Sequence, residues 1–254
     1  MELDGKDLKK RKSILMDLWN ELITIWESNP QKISREYVIE RLKGEYSKEG
    51  ISPIRGASEP KDLFDKELTS LYILGKYGMG LEVQYPEFFD KVFSIEVKMD
   101  QVNDLLLSDN TDGLRDKVSA IIGNVDGNSI ARILRIPLTK IYFGFSNEST
   151  IKRVADSLKK MFPEQAKEVN KYIKFYAAFK IANDIDIGKI KNRITKEAFK
   201  QALALELNID RKSLPSDKYI MKIASDVFKV SNKNLKNVFS FNNKKIQKEK
   251  QIKK

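Results

Sequence analysis

Apolar residues recur at helical spacing along most of the chain. Between 7 and 27, Leu8, Leu15, Leu18, Trp19, Leu22, Ile23 and Trp26 share one face at i, i+3, i+4, i+7 spacing. Asn29-Pro30 stops this helix, because a proline restricts the residue before it. Ser34 is a good N-cap for a second helix carrying Val38, Ile39, Leu42 and Tyr46. After a Gly/Pro/Ser-bearing loop at 50–58 that holds Arg55, Pro60 opens a third helix through Leu63, Phe64, Leu68, Leu71, Tyr72 and Leu74. Further helices are predicted at 86–93, 101–107, 114–122 and 129–136. The pattern is helical again from Glu148, with stripes Val154, Leu158, Phe162 and Val169, Ile173, Tyr176, Ala177. Two more helices follow, through Phe199, Leu203, Leu207 and through Ile220, Ile223, Val227. One stretch breaks the rule. Phe93, Ile95, Val97 and Met99 alternate with Ser94, Glu96 and Lys98, and this period of two predicts a strand. Its partner would be 140–145. The expected fold is mainly α and multi-helical, with a small two-stranded β-element at 93–99 and 140–145.

The composition fits one large or two small domains with a proper core: 254 residues, 41% hydrophobic. The chain has neither Cys nor His. That excludes disulfides, thiol nucleophiles, Cys or His metal sites and His-based triads. No run is long and apolar enough for a transmembrane helix, and the first residues do not read as a secretory signal, so a cytoplasmic protein is expected. Heavy Lys, Glu and Ile use suits a thermophile, although the many Asn residues fit an AT-rich genome equally well.

Charge is distributed unevenly. Residues 1–150 hold 21 basic and 25 acidic side chains, residues 151–254 hold 26 and 11, and the whole carries +11. The expected organisation is a near-neutral helical scaffold at 1–147, a basic helical domain at 148–241 and a basic disordered tail at 242–254. Two uses fit such an excess. Clustered Lys and Arg release counterions from a polyanion and so bind it, or they simply keep the protein soluble.

Two windows fit a helix-turn-helix pattern, in which a small residue and spaced apolar residues flank a tight turn. The first runs from 130 to 141, with Ala131 as the small residue and Ile130, Leu134, Ile136 and Ile141 packing. The second, better window runs from 224 to 238, with Ser225 small and Ala224, Phe228, Val230, Leu235 and Val238 inward. Both lack the usual Gly before the turn, having Arg135 and Lys229 there. The second window turns Asn232, Lys233, Asn234, Lys236 and Asn237 outward, side chains suited to base edges and phosphates. With Lys229, Lys191 and Arg193 and the tail residues Lys244, Lys245 and Lys248, these form the expected nucleic-acid contact set. The aromatic and lysine mixture at 171–180 reads as a core helix edged by lysines.

Other motifs carry less. Gly75-Lys76-Tyr77-Gly78-Met79-Gly80 follows no strand, so it reads as a helix end and turn rather than a phosphate cradle. The 109–113 stretch lacks the acidic alternation of a calcium loop. Asp62, Asp65 and Glu67 read as charges at a helix N-terminus, and Asp184 with Asp186 as a loop. Neither set forms the separated acid–base pair that hydrolysis needs, so no enzyme, metal or cofactor is expected.

The stretch 62–81, DLFDKELTSLYILGKYGMGL, followed by Tyr85-Pro86-Glu87-Phe88-Phe89, resembles an uncharacterised archaeal family of the Sulfolobus type. The resemblance implies a cytosolic protein of an archaeon growing hot, and brings no functional residues with it. The expected function is non-enzymatic binding of DNA or RNA by the basic C-terminal part. The competing expectation is an assembly subunit whose amphipathic helices, with Trp19 and Trp26 on one face, dock an acidic partner.

Overall fold

A computed structural model describes residues 5–50, 63–108 and 112–174, with isolated positions between 200 and 216. The chain divides into two compact units, Lys6–Ile173 and the remainder, Met1–Gly5 with Lys174–Lys254. The first unit is built of helices: α1 Gly5–Ser28, α2 Arg35–Lys48, α3 Leu63–Ile73, α4 Leu81–Gln84, α5 Pro86–Leu107, α6 Leu114–Ile122, α7 Gly127–Tyr142 and α8 Glu148–Met161. A π-turn, Leu74–Gly78, extends α3 before Gly80 takes the left-handed conformation (φ 69°) and the short α4 begins. Among the described residues no helix is long and apolar enough to cross a membrane.

The helix ends follow local chemistry. α1 stops before Asn29-Pro30, and the Ser34 hydroxyl accepts from the Tyr37 amide at 3.1 Å to cap α2. Asp126 caps α7 by accepting from the Ser129 amide at 2.8 Å.

The predicted β-element is replaced by helix on both sides. Residues 93–99 lie inside α5, whose buried face runs Phe89, Val92, Phe93, Glu96, Met99, Asp100, Asn103, Leu106. That spacing is helical. Glu96, Asp100 and Asn103 occupy core-facing positions, so hydropathy alone breaks the stripe and leaves an apparent alternation. At 140–145, α7 ends in a turn: Gly144 (φ 80°) donates to the Ile141 carbonyl at 3.0 Å and Phe145 to the Lys140 carbonyl at 2.8 Å. This is a left-handed glycine stop, with both orphan carbonyls capped.

The first helix-turn-helix window is also one continuous helix, α7, which runs through Pro137. Proline supplies no N–H for the carbonyl four residues back. The side-chain amide of Asn103 takes that role, donating to the Ile133 carbonyl at 2.9 Å. The helix therefore continues where a turn was expected.

α5 is the central element and packs against α2, α3, α4, α6, α7 and α8. It bends at Phe93 (φ −113°, ψ 24°), where Arg35 donates to the Val92 carbonyl at 3.1 Å, a side chain inserted into the helical ladder. Trp19 is wholly buried, with ring centroids 5.2–5.6 Å from Phe88, Phe89 and Phe93. Trp26 meets Phe88 edge-on at 5.2 Å. The Trp19 side of α1, expected as a docking face in the assembly reading, is thus core. The α1 contact with α3 is close: the Trp19 indole donates to the Leu71 carbonyl at 2.9 Å, and Gly75 leaves room for its ring.

Candidate functional site

The polar residues that sit inside this core fall into three clusters. In the first, Arg11 and Glu67 form a buried ion pair at 2.9 Å, and the Tyr46 hydroxyl donates to the second Glu67 oxygen at 2.7 Å. Burial and the adjacent Glu67 carboxylate push the Tyr46 phenol far above its ordinary range. Glu67 is therefore a core anchor joining α1, α2 and α3, not the helix-terminal charge its sequence position suggested.

The second cluster centres on Asp100. Its carboxylate accepts from Tyr72 at 2.9 Å, Tyr77 at 2.6 Å and Lys140 at 2.7 Å, with the Lys76 ammonium at 3.1 Å. Lys76 also pairs with Glu82 at 2.9 Å, and Lys140 stands 4.2 Å from the Tyr77 ring centroid. Burial pushes the Asp100 carboxyl up, but Lys140, Tyr77 and Lys76 outweigh it and hold it below its ordinary value of 3.8. Burial likewise lowers Lys76, and Glu82 with Asp100 outweigh it, so its ammonium is held above 10.5. Two carboxylates, Asp100 and Glu82, contact the two ammoniums, and a third, Asp104, lies near enough that burial and the Asp100 charge hold its carboxyl above its ordinary value. The cluster ties α3 and its π-turn to α5 and α7.

The third cluster lines a recess between α2, α3, α5 and α7, formed by Arg35, Thr69, Ile95, Glu96, Met99, Arg132, Arg135 and Ile136. Arg35 grips Glu96 with two nitrogens, at 2.7 and 3.0 Å. Glu96 is thereby neutralised. Arg132 and Arg135 are one helical turn apart on the same face of α7. Both are half-buried, and among the described residues no carboxylate pairs with Arg132. The lining thus includes three guanidiniums and the Glu96 carboxylate. The free volume is about 10 Å³, room for one oxygen-sized atom. Of the three clusters, this one borders free space.

Sequence reasoning missed the recess. Arg132 and Arg135 stood in the first helix-turn-helix window, read there as part of a hairpin, and Arg35 lies 61 positions from Glu96. The expected contact residues Lys191, Arg193, Lys229, Asn232, Lys233, Asn234, Lys236, Asn237, Lys244, Lys245 and Lys248 lie outside the described residues, as do the 224–238 window, Pro60, Asp184 and Asp186. Among the described residues no group of three or more carboxylates could hold a metal ion.

Residues 6–239 match a family described as an uncharacterised protein conserved in archaea, DUF2192. No curated protein and no solved structure matches the chain.

Proposed function

The chain belongs to this archaeal family, and we propose that it is a non-enzymatic nucleic-acid-binding protein whose C-terminal part grips DNA or RNA phosphates. The observation that carries the reading is where the charge divides. The unit Lys6–Ile173 holds 27 basic and 26 acidic residues, a net +1. The remaining unit holds 20 basic and 10 acidic residues, a net +10. The positive excess therefore follows a structural division rather than being a general property of the surface.

Within Lys6–Ile173 many cations already have acidic partners. Arg11, Arg35, Arg41, Lys76, Arg115 and Lys140 pair with Glu67, Glu96, Glu21, Glu82, Glu164 and Asp100. Residues 174–254 have far fewer acids for their lysines. Such a stretch binds a polyanion by releasing its condensed counterions, at about 0.9 decade of affinity per decade of salt for each phosphate neutralised on duplex DNA. Asn232, Asn234 and Asn237 add side chains able to read base edges.

Fluorescence anisotropy with labelled single- and double-stranded DNA and RNA, at two salt concentrations, tests this. Salt-sensitive binding that weakens when Lys233, Lys236, Lys244 and Lys245 are replaced by Glu is the expected result. Absence of binding at low ionic strength overturns the reading.

A further inference from the structure

We propose that Asp104 is a proton-operated latch on the π-turn Leu74–Gly78: with its carboxyl protonated the Asp100 cluster closes on the turn, and with it ionised the turn loosens. This does not rest on the nucleic-acid reading, because every group involved lies in the Lys6–Ile173 unit. The chain has no His, so a response to pH between about 4 and 7 has to come from carboxyl groups.

The turn hangs on one carboxylate. Lys76 and Tyr77, both on the π-turn, end on Asp100 at 3.1 and 2.6 Å, and Asp100 is wholly buried. Lys140 of α7 and Tyr72 of α3 are its other donors. Asp104 stands one helical turn further along α5. Two carboxylates at that spacing repel each other. Asp104 is exposed, and among the described residues no hydrogen bond or ion pair holds it. With Asp104 ionised, three carboxylates, Asp100, Asp104 and Glu82, share the ammoniums of Lys76 and Lys140. With Asp104 protonated, the charges of the cluster balance. The two phenols stay neutral, because burial and the Asp100 charge push both far above their ordinary range. On the other helices packed against this part of α5, Arg153 of α8 donates to the Leu107 carbonyl, and Arg115 of α6 to the Met161 carbonyl and Glu164.

Burial and the Asp100 charge hold the Asp104 carboxyl above its ordinary 3.8, against the pull of Lys140 and Lys76. A carboxyl raised in this way stabilises the fold in its protonated form. That contribution is complete below the unfolded-state value and is lost as pH rises through the folded-state value. Asp104 therefore works in the opposite sense to Asp100, which is held below 3.8. Once ionised, Asp104 competes with Asp100 for Lys140 and Lys76. Lys140 is fixed on the long helix α7, whereas Lys76 belongs to a single π-turn, so the turn yields first. The Tyr77 ring is already 37% exposed, and Gly78 and the left-handed Gly80 follow it.

The test uses the full chain. Urea unfolding and hydrogen exchange, corrected for the intrinsic pH dependence of exchange, are followed between about pH 4 and 7 for wild type, Asp104→Asn and Asp104→Glu. Carbon-13 NMR follows the Asp104 carboxyl itself. The expected result is that D104N is more stable than wild type at about pH 7, by a margin that shrinks toward about pH 4. Its amides at 74–80 should exchange more slowly than those of wild type at the neutral end. D104E keeps the charge and should track wild type, and the Asp104 carboxyl should titrate above 3.8. Asp104 has no bond to lose, so the Asn variant is expected to fold, which circular dichroism checks. If D104N does not fold, the carboxyl titration and the exchange of wild type at 74–80 across the pH range carry the test. The latch is overturned if D104N is no more stable than wild type at neutral pH, or if its margin does not change with pH. It is equally overturned if the gain in protection is spread evenly over the unit instead of centring on 74–80, or if Asp104 titrates at or below 3.8.

Discussion

A methyl group on Gly75 would stand 2.3 Å from Cζ2 of Trp19. Neither partner can yield easily, because the indole is clamped by Phe88, Phe89 and Phe93 and by its bond to the Leu71 carbonyl. Gly75→Ala is therefore expected to cost about 1–3 kcal/mol in urea unfolding, with a shift in tryptophan emission. An unchanged midpoint would show that the close approach is not needed. Asn103 makes a second prediction at this scale. Its amide serves the carbonyl that Pro137 leaves without a donor. Asn103→Ala should cost about 1–3 kcal/mol in the wild-type background. It should cost clearly less when Pro137→Ala has restored a backbone donor at 137. A double-mutant cycle measures that coupling, and strict additivity would contradict it.

Among the elements, α5 decides how much was legible in the sequence. Helices α1, α2, α3, α6 and α8 were readable because apolar residues recur along them at helical spacing, although Arg11 of α1 and Glu67, Thr69 and Ser70 of α3 are buried as well. α5 was split into helix, strand and helix because Glu96, Asp100 and Asn103 stand on its inner face. Their partners are distant in sequence: Arg35 is 61 residues from Glu96, and Lys140 is 40 from Asp100. A periodicity argument sees polarity but not the group that neutralises it. The same distance hid the arginine recess, while the glycine-rich turn after α3 was legible because its cause is local. The Asp100 cluster also gives a pH prediction. Asp100 is held below 3.8 by Lys140, Tyr77 and Lys76 against the effect of burial. Its contribution is thus complete above the unfolded-state value, and is lost as pH falls through the lower folded-state value. Asp100→Asn should cost about 3 kcal/mol at pH 7. The gap to wild type should narrow as pH falls from about 4 toward 2. A gap that is constant across that range would argue against an ionised Asp100.

At the scale of the molecule, charge and structure divide at the same place. A chain ending at Ile173 carries almost no net charge, so it should lose salt-sensitive nucleic-acid binding; retention of full affinity would move the function into the first unit. The inner face of α5 has a bearing on how that unit assembles. Its carboxylates and amide are answered by Arg35 on α2, Tyr72 on α3, and Lys140 and the Ile133 carbonyl on α7. A purely greasy helix would tolerate sliding by a turn or docking on the wrong neighbour. Here any such misalignment strands a naked anion in oil, at a cost of several kcal/mol. The polar seam works as a keyed lock on register: it rejects near-native impostors and makes the arrival of three separate helices a joint condition for burying the fourth.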